Sequence, residues 1–296
     1  MRFAKQLNLE SPRGFPKKHS SKVATWRTIA KALEQTAPLA LQEDYDNSGL
    51  QVESSTEAEV TDVLLTLDVT EATVDEAARI GAQMIVSHHP LLFRPLRRVT
   101  TTDYVSATLR AAIRADITLY AAHTNLDNAP RGVNRMLAEV LALEHCTPLL
   151  PLGAEQLQRS GLTSEQQAEA GTGLVGDLPQ ALSAEAFVDY VKQRLHAPCI
   201  KFNTEGAQRE IRRVALCGGA GGSFIGAAER RGADAYLTGE VGYHPFFGHP
   251  NLLILEAGHF ETEQYTVRLL QRLIEEACPE VRCHVSAHSV APTEVR

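Results

Sequence analysis

The feature that most narrows what this chain can fold into is a match between two parts of itself. The segment VLLTLDVTEATVDEAARIGAQMIVSHH, from Val63, aligns without a gap on VALCGGAGGSFIGAAERRGADAYLTGE, from Val214, a constant separation of 151 residues. In each copy an apolar run of strand length leads into a helical pattern ending at Gly81-Ala82 or Gly232-Ala233, then into a second apolar run. That second run ends in polar residues both times, Ser87-His88-His89 and Thr238-Gly239-Glu240. Further on, TLYAAHTNLD from Thr118 matches ILEAGHFETE from Ile254 at a separation of 136 residues, setting His123 against His259 and Asp127 against Glu263. Hydrophobic patterning alone makes strand–helix–strand units look alike, but polar tips recurring at equivalent strand ends point to a duplication. Helices alternating with apolar strands predict an α/β fold with largely parallel or mixed sheets covered on both faces.

Around the repeat the elements are legible. Thr25 to Ala37 reads as an amphipathic helix with Trp26, Ile29, Ala30 and Leu33 on one stripe, closed by Pro38. VSATLRAAIRADI and VNRMLAEVLAL read as helices, GLVGDLP as a strand, and SAEAFVDYVKQRL as a helix capped by Ser183. The polar stretch from Gly153 to Thr172 is the expected connector. The chain thus divides into a disordered basic leader (1–22), a first half (23–150) with the His-His and His-x-x-x-Asp motifs, and a second half (151–296) with Thr-Gly-Glu and His-x-x-x-Glu.

Composition excludes several classes. A net charge of −7 argues against a protein built to hold nucleic acid. No apolar run reaches 18 residues, so no membrane span is expected, and the start lacks the apolar core of a secretory signal. Arg2, Lys5, Arg13, Lys17, Lys18 and Lys22 make that start a solvated basic leader. The five cysteines are odd in number and include no Cys-x-x-Cys pair, which indicates neither a disulfide framework nor a thiolate zinc site. A soluble cytoplasmic protein with reduced thiols is expected.

Functional groups in open α/β sheets gather at the carboxyl ends of strands. His88-His89, His123 and His259 all sit at such ends. Adjacent strand residues point to opposite faces, so the two rings serve one ion only if the backbone turns; Pro90 favours that turn, and two neighbouring ions use both rings. If Gly258-His259 opens a helix continuing through TEQYTVRLLQRLIEEA, then His259 and Glu263 share one face at i and i+4. A glutamate has two oxygens and can bridge two metals, which suits Glu263; Glu261 is rotated away and reads as an acid at a helix N-terminus. Asp127 adds a carboxylate, although an Asx turn before Pro130 also accounts for it. His88, His89, Asp127, His259 and Glu263 make a mixed N/O set suited to two divalent ions, zinc, manganese or iron.

SHHPLLF, HTNLD, TGE and GHFETE, with YDNSGLQVE nearer the start, closely resemble the type 2 GTP cyclohydrolase I homologue family, also described as dinuclear-metal-centre hexameric proteins. The resemblance runs from about residue 23 to the C-terminus. It implies two intertwined three-layer α/β/α subdomains related by a pseudo-dyad, and a homohexameric toroid. It also implies that His89 and Asp127 hold one ion, His88 and His259 the other, with Glu263 bridging. Position 153–172 is too short for the inserted domain of longer members. His123 has no ligand role in that scheme and is the candidate acid/base group. Glu240 and His244, in TGEVGYH, occupy the repeat position of the His-His pair and are candidates to line the same cavity. The CGGAGGSF loop offers N–H groups for phosphate or, equally, close strand–helix packing.

Two functions are compatible with this pattern. One is a dinuclear metal-dependent hydrolase acting on a small nucleotide-like or phosphorylated substrate, including GTP cyclohydrolase-type activity. The other is a non-catalytic metal-binding or interaction ring protein. Neither calls for a membrane.

Overall fold

The computed structural model describes residues 24–55 and 59–295; the leader expected at 1–22 lies outside the described residues. In chain order the elements are Trp26–Thr36 (α1), Gly49–Val52 (β1), Asp62–Thr66 (β2), Glu71–Ile80 (α2), Met84–Ser87 (β3), Tyr104–Ala115 (α3) and Thr118–Ala121 (β4). Then come Thr124–Asp127 (α4), Val133–Val140 (α5), Glu144–Pro151 (β5), Ala154–Ser160 (α6), Ser164–Glu169 (α7), Gly171–Ser183 (β6) and Ala184–Leu195 (α8). The remainder is Lys201–Phe202 (β7), Glu210–Cys217 (β8), Ile225–Arg230 (α9), Ala235–Thr238 (β9), Leu253–Glu256 (β10), His259–Glu263 (α10), Thr266–Ala277 (α11) and Arg282–Val285 (β11).

Local chemistry accounts for many of the boundaries. Thr25 and Thr70 cap α1 and α2 with reciprocal capping boxes, and Ser183 caps α8 by accepting from the Ala186 N–H. Gly81 ends α2 in the left-handed region at φ +75°, where glycine carries no steric penalty.

The strands form two mixed sheets, ordered β1-β4-β3-β2-β11 and β5-β6-β8-β9-β10-β7. In each sheet three parallel strands lie together, β2-β3-β4 and β8-β9-β10, with a short antiparallel strand beyond β4 or β10. The register repeats as well: Val63 faces Met84 in the first sheet, and Val214 faces Ala235 in the second. The duplication seen in the sequence is therefore present in the sheets. On the other side of the shared strands the copies diverge, with β11 parallel to β2 but β6 antiparallel to β8.

Strand alternation makes both units three-layered. Val63 and Leu65 pack with Ile29 and Leu33 of α1 and Leu270 and Ile274 of α11, whereas Leu64 packs with Val74 of α2 and Leu109 of α3. In the second sheet Val214 and Leu216 meet Leu137 of α5 and Phe187 of α8, while Ala215 meets Ala227 and Ala228 of α9.

Three details differ from the sequence reading. The sheets do not divide at 150/151: β5 spans that point within the second sheet, and β11 returns to the first. This final strand pairs with the otherwise open side of β2 and becomes the edge of the first sheet, which intertwines the halves. The stretch 153–172 is not a plain connector but carries α6 and α7, because Leu157 and Leu162 anchor it to the first core. The helix expected to run on from His259 breaks at Gln264-Tyr265. There the Gln264 amide donates to Leu195 O (2.9 Å) and the Tyr265 hydroxyl to Arg194 O (2.8 Å).

Candidate metal centre

The carboxyl ends of β3, β4 and β10 converge between the two sheets. His88 and His89 follow β3 directly, and their N–H groups donate to Thr66 O (3.2 Å) and Leu67 O (2.9 Å). His123 follows β4 at the start of α4, which ends on Asp127. Gly258, at φ +97°, turns the chain after β10 so that His259 opens α10 and Glu263 closes it.

The five side chains meet around the Glu263 carboxylate. Its Oε2 lies 3.0 Å from His89 Nε2 and 3.1 Å from His259 Nε2, and those two nitrogens are 3.4 Å apart. Its Oε1 lies 3.7 Å from His88 Nε2, which is also 3.6 Å from Asp127 Oδ1. The distances thus group His89 with His259 and His88 with Asp127. The grouping implied by the family resemblance, His89 with Asp127 and His88 with His259, is the reverse. Consecutive residues at the end of β3 diverge, which sends His88 under Asp127 and His89 toward α10.

Each imidazole is oriented from behind. His88 Nδ1 donates to Ala122 O (2.8 Å), a group that only accepts, so Nε2 carries the lone pair in the neutral ring. His89 Nδ1 is held by Asp68 Oδ1 (2.9 Å) and His259 Nδ1 by Glu240 Oε1 (2.7 Å). Such carboxylate–imidazole pairs commonly stand behind metal-ligating histidines. His88 is fully buried, and its Nε2 has no hydrogen-bond partner. A buried imidazole nitrogen left without a partner is costly unless something binds it. The imidazole and carboxylate donors here suit a divalent ion, and two groups are compact enough to hold one: His88, His89 and His123, and His89, His259 and Glu263.

The electrostatics of the cluster follow from its geometry. Burial alone lowers an imidazole pKa, but Asp68 and Glu263 outweigh it and push His89 up to about 10. Glu263 and Glu240 likewise raise His259 to about 9. Burial opposes ionisation of Glu263, yet the surrounding imidazoles hold it well below the usual carboxylate range. Asp127 moves up, through burial first and then the neighbouring Glu263 charge.

His123 sits beside this cluster, its ring 5.3 Å from that of His88 and 5.5 Å from that of His89. Its Nδ1 is bonded to Asp46 Oδ1 at 2.7 Å. Asp46 also accepts from the Ser48 and Thr124 hydroxyls and the Thr124 N–H. Those bonds overcome burial and hold its carboxyl far below the ordinary range. Asp46 and Asp68 were not picked out from the sequence. Asp68 lies just beyond β2, a strand-end position that could have flagged it; Asp46 lies in a loop before β1, inside the YDNSGLQVE motif, which was given no role residue by residue.

A cavity of about 560 Å³ opens in front of the cluster and is lined in part by His89, His123, Asp127, His259, Glu263 and Glu240. Of the two candidates in TGEVGYH, Glu240, at the repeat position of His89, reaches the site. His244 is exposed and is not part of the lining. The CGGAGG loop is not an open phosphate cradle: the N–H groups of Gly218, Gly219 and Gly221 donate to Asn134, Thr262 and Thr238 side chains. Close packing explains the loop. Gly219 has φ +63°, and a Cβ there would stand 2.2 Å from Glu263 Oε1. Among the described residues, no helix is long and apolar enough to cross a membrane.

Residues 24–292 match the family model Duf34/NIF3 (NGG1p interacting factor 3). A Clostridium perfringens protein called GTP cyclohydrolase 1 type 2 homolog is 31% identical over 272 residues, covering 90% of this chain and 97% of its own. The Drosophila melanogaster NIF3-like protein 1 is 32% identical over 239 residues, covering 80% and 77%. Among solved structures, a Bacillus cereus protein related to NIF3 superposes with a TM-score of 0.81 at 26% identity, covering 93% of this chain and all of the other.

Proposed function

Because the chain belongs to the Duf34/NIF3 family, we propose that its histidine–carboxylate cluster holds two divalent ions and that the protein is a metal-dependent hydrolase of a small substrate. The observation that carries this reading is the buried His88 Nε2, without a partner and facing two carboxylates. In this reading His88 and Asp127 would hold one ion and His89 and His259 the other, with Glu263 close to both pairs. Zinc, manganese and iron all suit the set. Bound there, such ions supply Lewis acidity and activate water near neutral pH.

The chain's own residues do the rest. Asp68 and Glu240 keep the Nδ1 protons of His89 and His259 turned away from the ions. His123, its Nδ1 fixed by Asp46, presents Nε2 as the proton donor or acceptor for the reacting group. The reading extends to a homohexamer in the cytoplasm.

The test is metal content per subunit together with turnover of a nucleotide, phosphoester and amide panel on the same sample. Glu263→Ala should lose both ions and all turnover, whereas His123→Ala should keep the ions and lose at least a hundredfold in kcat. Two ions per subunit without turnover on any substrate would shift the reading to a non-catalytic metal-binding protein. No metal in carefully loaded protein would end it.

A further inference from the structure

The lining of the cavity is chemically one-sided. Five carboxylates contribute, Glu43, Asp68, Asp127, Glu240 and Glu263, and no lysine or arginine is among the described lining residues. Arg94, Arg97 and Arg98 follow the lining residue Phe93 along the chain and are exposed, but none joins the lining. Two divalent ions would bring four positive charges to these five carboxylates, so even the loaded cavity has no positive excess. Three of the acids are outside the proposed ligand set, and each has one oxygen engaged. Glu43 Oε1 accepts from Asn128 and Thr172, Asp68 Oδ1 from His89, and Glu240 Oε1 from His259. No bond to their second oxygens occurs among the described residues. The one loop whose sequence suggested a phosphate cradle has three of its N–H groups bonded within the protein.

The outer wall is aromatic. Tyr45 and Phe93 stand edge to face, ring centres 6.3 Å apart, and Phe93 lies 5.9 Å from His123 in the same manner. Tyr45 is 67% exposed and Phe93 40%, an arrangement that leaves ring faces open to a ligand instead of burying them in the core. Phe224 and Phe260 add to the apolar lining. Flat aromatic walls select a flat ligand. Ionised carboxylates accept hydrogen bonds and never donate, so they select N–H donors and favour neutral or cationic groups over anions.

Resting on the reading of the centre as a hydrolase site, we infer that its substrate is a flat, phosphate-free nitrogen heterocycle carrying amino groups, neutral or cationic, packed face-on against one ring of the Tyr45–Phe93 pair and edge-on against the other, with its N–H edge toward Glu43, Asp68 or Glu240. This narrows the nucleotide-like or phosphorylated substrate suggested by the sequence to the base without its phosphates.

The experiment is calorimetric titration of the metal-loaded full chain with aminopurines and aminopyrimidines, each as the free base, the nucleoside and the nucleoside 5′-monophosphate. At least one free base should bind, and adding the phosphate should weaken it at least tenfold. The double variant Tyr45→Ala/Phe93→Ala should bind that base about tenfold more weakly with its metal content unchanged. Glu43→Gln should narrow the preference for the unphosphorylated form. A monophosphate that binds as tightly as its base, or tighter, overturns the inference, as does failure of every base to bind. Metal content and panel turnover are read separately, so either of those outcomes can occur while the hydrolase reading stands.

Discussion

At the scale of single residues, the site is built from pairs in which one side chain fixes another. Asp68 and Glu240 touch no ion in the proposed arrangement, yet they decide which imidazole nitrogen faces inward. Asp68→Ala and Glu240→Ala should therefore each lower metal affinity by about 10- to 100-fold without unfolding the chain, measured by competition with a chelator. Glycine substitutions separate packing from conformational freedom. Gly219 and Gly81 both have positive φ, at +63° and +75°, but a Cβ at Gly81 meets nothing within 4 Å. Gly81→Ala should cost about 1 kcal/mol in thermal unfolding and leave metal content intact. Gly219→Ala should displace the Glu263 carboxylate and strip the centre. Equal metal content in the two variants would sink the idea that Gly219 makes room for Glu263.

At the scale of elements, β11 depends on one buried carboxylate. Asp62 on β2 receives both arms of the Arg282 guanidinium, at 2.9 and 2.6 Å, and His284 Nε2 at 2.7 Å. Arg282 first, with help from His284 and Thr61, holds the Asp62 carboxyl far below its ordinary value against the opposing effect of burial. A carboxyl depressed in the folded state contributes stability that is fully present above its unfolded value, about 3.9. That contribution disappears as pH falls toward the folded value. Asp62→Asn should thus destabilise the metal-free protein at neutral pH by on the order of 2 kcal/mol. The gap between variant and wild type should close progressively below about pH 4. A gap that stays constant from pH 7 to pH 2 would show that charge on Asp62 does not secure the strand.

For the whole molecule, the return of β11 to the first sheet and the placement of β5 in the second mean that the halves exchange edge strands. Fragments 1–150 and 151–296 should each fail to fold alone, read as absent far-UV cooperativity, and should recover only on co-expression. Two independently folding fragments would contradict the exchange. What the sequence determined by itself was whatever is local or repeated. The Ser183 cap, strand alternation and the separation of 151 residues all survive in the fold, because they depend on near neighbours or on the same local pattern occurring twice. His88, His89, His123, Asp127, His259 and Glu263 were legible too, since strand ends are where a parallel sheet exposes functional groups. Their partnerships were not. Glu263 lies 174 residues from His89, and Asp46 lies 77 from His123. Contacts that distant leave no periodicity, and packing between two sheets decides which imidazole meets which carboxylate. The same is true of the broken helix after Glu263, held by Leu195 and Arg194 carbonyls from α8, and of the final strand, whose place beside β2 is fixed by pairing with a strand some 220 residues earlier in the chain.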